Sequence, residues 1–403
     1  MLRVSTFSLY RNGEQTVMDS QRELMRIQAR VSSGKRIASP AEDPIGAADA
    51  TAARASLAQF DQFAENQGHA RYLLNLAEDS LAHVIEGART VKEKLIAAGN
   101  GAFGAGERKM IAGELRGILE RIVGLANSPD GVGGYLFAGS REIAAPFFQS
   151  GMTVSFAGDA TLQKLEISKD RFQQVKFSGD ALFLKMRPGN GTFTTANAAG
   201  NTGNGSIDTG AVVNPALLTG SAYSVDFTVT AGVTTYQVVR ASDSAVVASG
   251  NYTNPQQIAF DGMSVTLDGA PADGDSFDVA PAGYRSIFET LATAITLLET
   301  GAATQTAQAN FKTELSGLLA SMDGALDHLV LKRSAIGSSL AELDSYEALN
   351  GDRQFEYQGR LSQIEDLDLA AGISELNRRQ TAYDAAIRSY STISKLSLFD
   401  FIG

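Results

Sequence analysis

Apolar residues recur at helical spacing in the first and last thirds of the chain, and at strand spacing in between. From about Asn12 to Ser33, Val17, Leu24, Ile27 and Val31 return on one face of a helix, and Gly34-Lys35-Arg36 supplies a stop. The stripe is thin and interrupted by Gln15, Gln21 and Gln28, so this helix needs a partner. Ser39-Pro40-Ala41-Glu42 fits a capping box, and Asp43-Pro44 offers a second start. From Ile45 to Ala98 the spacing stays helical through Leu57, Phe60, Ala64, Leu74, Leu81, Val84, Ala88, Val91 and Leu95, with Asn66-Gln67-Gly68 as the weakest point. At ~1.5 Å per residue such a helix is a rod of roughly 75 Å. A shorter helix from about Glu107 to Ala126 carries Met110, Leu115, Ile118, Ile122 and Leu125.

Residues 134–186 read as short strands, among them Tyr135 to Gly139, Val154 to Phe156 and Leu165 to Ile167. The clearest strand signal follows. Tyr223, Val225, Phe227 and Val229 alternate with polar residues, and Tyr236 to Val238 is placed to pair with them. Asp261-Gly262 between Phe260 and Met263 marks a hairpin, while Gly189 to Gly210 reads as loop. Helix returns near Tyr284, with Phe311, Leu315, Leu318, Met322, Ala325, Leu329, Ile336, Leu340 and Leu343 on one face. After a weak patch at Asn350-Gly351-Asp352, a heptad seam runs through Leu369, Ile373, Leu376, Gln380, Tyr383, Ile387 and Tyr390. The tail residues Leu396, Leu398 and Phe399 are apolar and unshielded, which marks an interface.

The expected fold is α+β: a long antiparallel helical coiled-coil bundle formed by both chain ends, with an inserted mainly-β domain. Three layers are expected. Residues 1–43 with 353–403 are terminal helices that pair on assembly. Residues 44–186 with 284–352 form a helical rod with a β-hairpin region, and 187–283 form the inserted β domain. The assembly interface is assigned to Leu9, Val17, Leu24, Ile27, Val31, Leu369, Ile373, Leu376, Tyr383, Ile387, Tyr390, Leu396, Leu398 and Phe399.

Composition changes this picture mainly by exclusion. The 403 residues carry 34 Lys and Arg against 45 Asp and Glu, a net charge of −11 that speaks against a nucleic-acid partner. Between Arg187 and Gly283 there is no Lys and no Glu, and two arginines stand against eight aspartates, a net of −6. The insert is therefore a separate acidic module. There is no Cys and no Trp, and the three His, at 69, 83 and 328, share no ligand spacing. No nucleotide-binding, nucleophile-elbow or zinc-helix motif occurs. Asp268, Asp273, Asp275 and Asp278 lack the spacing of a calcium loop; turn and strand-edge roles are expected, with calcium as the alternative. No catalytic, metal or cofactor residue is assigned. No segment reaches the length of a membrane span or a signal peptide.

Several segments at the two ends resemble the flagellin superfamily, and within it the hook-associated proteins more than flagellin itself. They are Arg3 to Thr6, Leu9-Tyr10, Val31 to Ile37, Ser39 to Pro44, Tyr135 to Ser140, Ser362 to Asp368, Ile373-Ser374 and Ile393 to Asp400. The insert's Phe260 to Phe277 is similar to a short β motif of the same proteins. The resemblance implies a non-enzymatic subunit that joins hook to filament as a ring of like copies. It implies neighbours among the hook-associated proteins and flagellin, and an export chaperone on the C-terminal tail. It further implies an extracellular location at the hook–filament junction, reached by flagellar type III export without a cleaved signal peptide. The alternatives are flagellin itself, or a secreted coiled-coil adhesin whose β domain binds a surface.

Overall fold

The computed structural model describes residues 6–101, 103–140, 144–300 and 302–395. The chain divides into two compact units. Residues 1–65 and 345–403 form one, and residues 66–344 the other.

The first unit is built on helices α1 (Thr6–Ser33) and α6 (Leu369–Lys395), with the start of α2 (Pro44–Ala98) and the end of α5 (Gln305–Glu365). α1 stops at Gly34, whose φ of +68° is a left-handed conformation that glycine adopts without strain. The capping-box start at Ser39 is not used. α2 begins at the second candidate, with Pro44 in its first turn and Asp43 Oδ1 accepting the Gly46 N–H at 2.8 Å. Glu42 instead turns back on its own loop and accepts the Ala38 N–H at 3.0 Å. α5 runs unbroken through Asn350-Gly351-Asp352, because buried Asn350 donates its amide to the Phe60 carbonyl at 3.0 Å. The break falls at Asp366 to Asp368 instead, where Asp368 Oδ1 caps α6 by accepting the Ala370 and Ala371 N–H groups, both at 3.0 Å.

The second unit holds the rest of α2 and α5, α3 (Ala105–Ala126) and α4 (Ile287–Thr300). α2 is continuous at Asn66-Gln67-Gly68. Asn66 and Gln67 donate to the Glu166 and Ile167 carbonyls at 2.8 and 2.7 Å, so the polar pair pins a strand instead of breaking the helix. The buried row therefore passes through Phe63 and Gln67, and Ala64 faces outward. Met110 likewise faces solvent on α3, where Ile111 and Leu115 turn inward. Two hairpins follow, β1 (Phe147–Ser150) with β2 (Thr153–Phe156), and β3 (Lys164–Ser168) with β4 (Arg171–Gln174). Tyr135 to Gly139 is not a strand. It makes only isolated bridges at Tyr135 and Ala138, and it delivers Phe137 to an aromatic core with Phe147, Phe183 and Phe288.

The β module is two antiparallel sheets over one apolar core. Its strands are β5 (Phe193–Asn197), β6 (Ser206–Ile207), β7 (Ala211–Val212), β8 (Tyr223–Thr230), β9 (Val233–Arg240), β10 (Val246–Asn251), β11 (Gln256–Phe260), β12 (Met263–Asp268) and β13 (Ser276–Pro281). One sheet has the order β10-β9-β8-β13-β5; in the other, β12 pairs with β11, β6 and β7. The stretch expected to be loop thus contains β5, whose pairing partner β13 lies eighty residues away and leaves no local signal. The core clusters Phe193, Val225, Phe227, Val238, Val265, Leu267, Phe277 and Val279. This is an α+β fold with helical chain ends and an inserted β module.

Candidate assembly interface

α1 and α6 lie side by side and antiparallel. Gly13 stands against the Tyr390 ring and Gly372 against Val31, so the residue number rises along one helix as it falls along the other. A methyl group at Gly13 would sit 2.9 Å from Tyr390 Cδ2, and one at Gly372 would sit 2.8 Å from Leu367 Cδ2. Glycine at 13 lets α1 approach the Tyr390 ring of α6 closely, and glycine at 372 leaves room for the Leu367 side chain in the turn before α6. Ile27 is buried, while Val17, Leu24, Val31, Leu376, Tyr383 and Tyr390 are half-buried.

The heptad seam read on α6 is divided by this pairing. Leu369, Ile373 and Ile387 point away and stay exposed, as do Met18 and Met25 on α1. Helical geometry explains the division. Gly372 and Tyr390 fix the face that meets α1, and Ile373 follows Gly372 by about 100° of rotation. The pair therefore keeps one apolar face inside and offers a second outside. In the same unit, Ile45 on α2 and Phe355 on α5 are 78% and 80% exposed, against the usual tendency of such residues. Leu396, Leu398 and Phe399 lie outside the described residues, as does the side chain of Leu9.

The turn after α1 is clasped to the end of α5. Arg36 N–H donates to Glu365 O at 2.6 Å and Leu367 N–H to Gly34 O at 2.8 Å. The Arg36 guanidinium donates to Ile364 O at 2.8 Å. Glu365, itself buried, accepts from Lys35 Nζ at 2.9 Å and pairs with Arg54. The Lys35 hydrogen bond, with Arg54 behind it, holds the Glu365 carboxyl below its usual range against the opposing effect of burial. Arg30 reaches Glu42 at 3.2 Å, and Glu42 is also held acidic, chiefly by the Ala38 N–H. No apolar periodicity flagged these charged residues. Their signal was the pairing of two short motifs, Val31 to Pro44 and Ser362 to Asp368, from opposite chain ends.

The candidates for chemistry are engaged otherwise. Asp268 is held by Lys312, Asp273 accepts the Val229 N–H at 2.9 Å, and buried Asp275 accepts three backbone N–H groups. His328 Nε2 donates to Ala181 O at 2.9 Å, and burial pushes its pKa down. His69 and His83 are exposed on α2. Among the described residues no three His, Asp or Glu side chains converge to hold a metal ion. No described helix is long and apolar enough to cross a membrane.

Residues 4–142 match the family model of the bacterial flagellin N-terminal helical region, and residues 196–281 match that of the flagellar hook-associated protein 1 D2-like domain. The crystal structure of FlgL from Xanthomonas campestris is 30% identical, covers 77% of this chain and 99% of its own, and superposes with a TM-score of 0.72. The chain belongs to the FlgL family, the flagellar hook-associated protein 3 family. Its member in Escherichia coli is 24% identical over 99% of both chains. The hook-associated protein 3 structure from Legionella pneumophila is 27% identical, covers 78% of this chain and 98% of its own, and gives a TM-score of 0.75. Membership of the FlgL family bears out the resemblance drawn from the terminal motifs, of which Val31 to Ile37 and Ser362 to Asp368 meet in the clasp around Glu365.

Proposed function

We propose that this chain is a structural subunit of the bacterial flagellum that joins the hook to the filament. Like copies assemble through the outer faces of α1 and α6. The observation that carries the assembly surface is the apolar face left open on that pair: Met18 and Met25 on one helix, Leu369, Ile373 and Ile387 on the other. Burying such residues between copies is the driving force that a non-covalent tubular assembly requires. Leu9, Leu396, Leu398 and Phe399 are assigned to the same interface from the sequence pattern alone. Its neighbours are a further hook-associated protein on one side and flagellin on the other, and an export chaperone covers the apolar tail before assembly. The site of action is extracellular, reached by flagellar export, and the role is mechanical, not enzymatic.

The test has two parts. The Ile373→Gln/Ile387→Gln variant is expected to keep its helical circular dichroism and to sediment as a monomer under conditions where the wild type assembles. A variant that still assembled and restored swimming would sink the assignment of this face. Immunogold labelling is expected to mark a band at the hook–filament boundary. Label along the whole filament would support the second reading, flagellin.

A further inference from the structure

Within the second unit, the β module is tied to the helices along a single row of α5. Thr306 Oγ1 donates to Thr202 O at 2.8 Å, and Asn310 Oδ1 accepts from Asn197 Nδ2 at 2.7 Å. Thr313 Oγ1 accepts the Ile207 N–H at 3.1 Å, and Ser321 Oγ accepts the Gly189 N–H at 2.9 Å. Lys312 Nζ reaches Asp268 Oδ2 at 2.5 Å from beside the row. Positions 306, 310, 313, 317 and 321 are spaced as one face of a helix, with Gly317 completing it. The next position along gives Phe311, Leu318 and Met322, all buried. So α5 carries two adjacent faces. The apolar one is committed to the core, and the polar one seats the β module.

Three features make this seat unlike a core. The module's apolar cluster runs from Phe193 to Val279 and takes no residue from any helix. The seat is loosely filled, with a cavity of about 270 Å³ between Thr194 to Ala196 and Gly317, Leu318 and Ser321. A second, of about 540 Å³, opens where the module leaves the helices, between Arg187, Gly189, Tyr284 and Gly324. Only two strands of chain cross there, joined by Met186 N–H to Arg285 O at 3.2 Å and Arg285 N–H to Met186 O at 2.8 Å. Gly189, immediately beyond this neck, has a φ of +62°.

We propose that the β module is a hinged arm, which lifts from α5 as a folded body about the Met186–Arg285 neck. The physical reason is the kind of contact at the seat. Hydrogen bonds and an exposed ion pair are exchanged for equivalent bonds to water at small net loss. Apolar burial has no such replacement, and here it lies within the module and within the helices rather than between them. A polar interface of this kind sets relative motion as the expected behaviour. In a flagellar subunit it lets the acidic module change its angle while the helices stay locked in their assembly. The inference itself rests on the fold and stands or falls independently of the flagellar role.

Site-resolved hydrogen exchange on the full chain tests it. Gly189 and Ile207 donate across the seat, whereas the Val225 amide lies in β8, between β9 and β13. After correction for intrinsic rates, Gly189 and Ile207 are expected to exchange at least about 100-fold faster than Val225, which opens only with the module itself. Thr313→Val, two turns along the seat from Ser321, is expected to speed Gly189 a further several-fold and leave Val225 unchanged. Lys312→Ala, a milder surface change, is expected to act in the same direction. Equal rates at Gly189, Ile207 and Val225 would overturn the hinge, and so would seat variants that leave Gly189 unmoved.

Discussion

Replacing Glu365 with glutamine isolates the electrostatic part of the clasp between the chain's two ends. Each carboxylate oxygen takes one charged donor, Oε2 from Lys35 and Oε1 from Arg54. Hydrogen bonds to charged groups contribute about 1.5–3 kcal/mol each when shielded. Lys35 and Arg54 are 48% and 54% exposed, so solvent screening reduces the pair to about 1–2 kcal/mol in total. Glutamine keeps one oxygen and turns an N–H₂ toward the second cation. The reporters are the Arg36 and Leu367 amides, which bond across the clasp to Glu365 O and Gly34 O. A loss of 1–2 kcal/mol speeds their exchange about 5- to 30-fold at neutral pH. The carboxyl is held below its ordinary value of 4.5, so its contribution is complete above that pH and is lost as the pH falls through the lower folded value. Wild-type exchange, corrected for intrinsic rate, should therefore accelerate below about pH 4.5. Glu365→Gln should lack that component and keep the one from Glu42, which is lowered by its own bonds to Ala38 and Arg30. If wild type and variant gave superimposable rates and pH profiles, the clasp would owe nothing to this carboxylate.

Three further outcomes follow from single contacts. Lys176→Met should destabilise the second unit by about 3–5 kcal/mol in chemical denaturation, because it strands fully buried Asp130, now 2.7 Å from Lys176 Nζ; the double variant with Asp130→Asn should recover part of that loss. Asp275→Ala should cost about 3 kcal/mol by leaving the Thr202, Gly203 and Ala272 N–H groups without an acceptor, and added calcium should not shift wild-type melting; a calcium-dependent rise in Tm would restore the cation reading. Gly372→Leu should force α6 off Val31 and Leu367 at a cost of about 1–3 kcal/mol, read as faster exchange at Leu367 with Val225 unaffected.

The sequence by itself determined the kinds of element, because side-chain period and chain punctuation are local properties. The 3.6-residue rows of α2 and α5, the alternation of β8, the Asp261-Gly262 hairpin and the stop at Gly34 are all legible from neighbours in sequence. It also determined the family, since Val31 to Pro44 and Ser362 to Asp368 are informative only as a pair from opposite ends. Only the tertiary structure decided what each polar exception was for. Gln67 and Asn350 read as weak points in helices until a distant carbonyl, Ile167 or Phe60, turned each into a fastening. β5 became a strand only because β13 supplied its ladder. The seam of α6 was one row in sequence, and the approach of Gly13 and Gly372 split it into an inner face and an outer one. Periodicity gives the rows of a helix but not the rotation at which its partner meets them. That rotation is set by the sum of contacts across the whole interface, and here it decides which apolar residues are spent between α1 and α6 and which stay exposed.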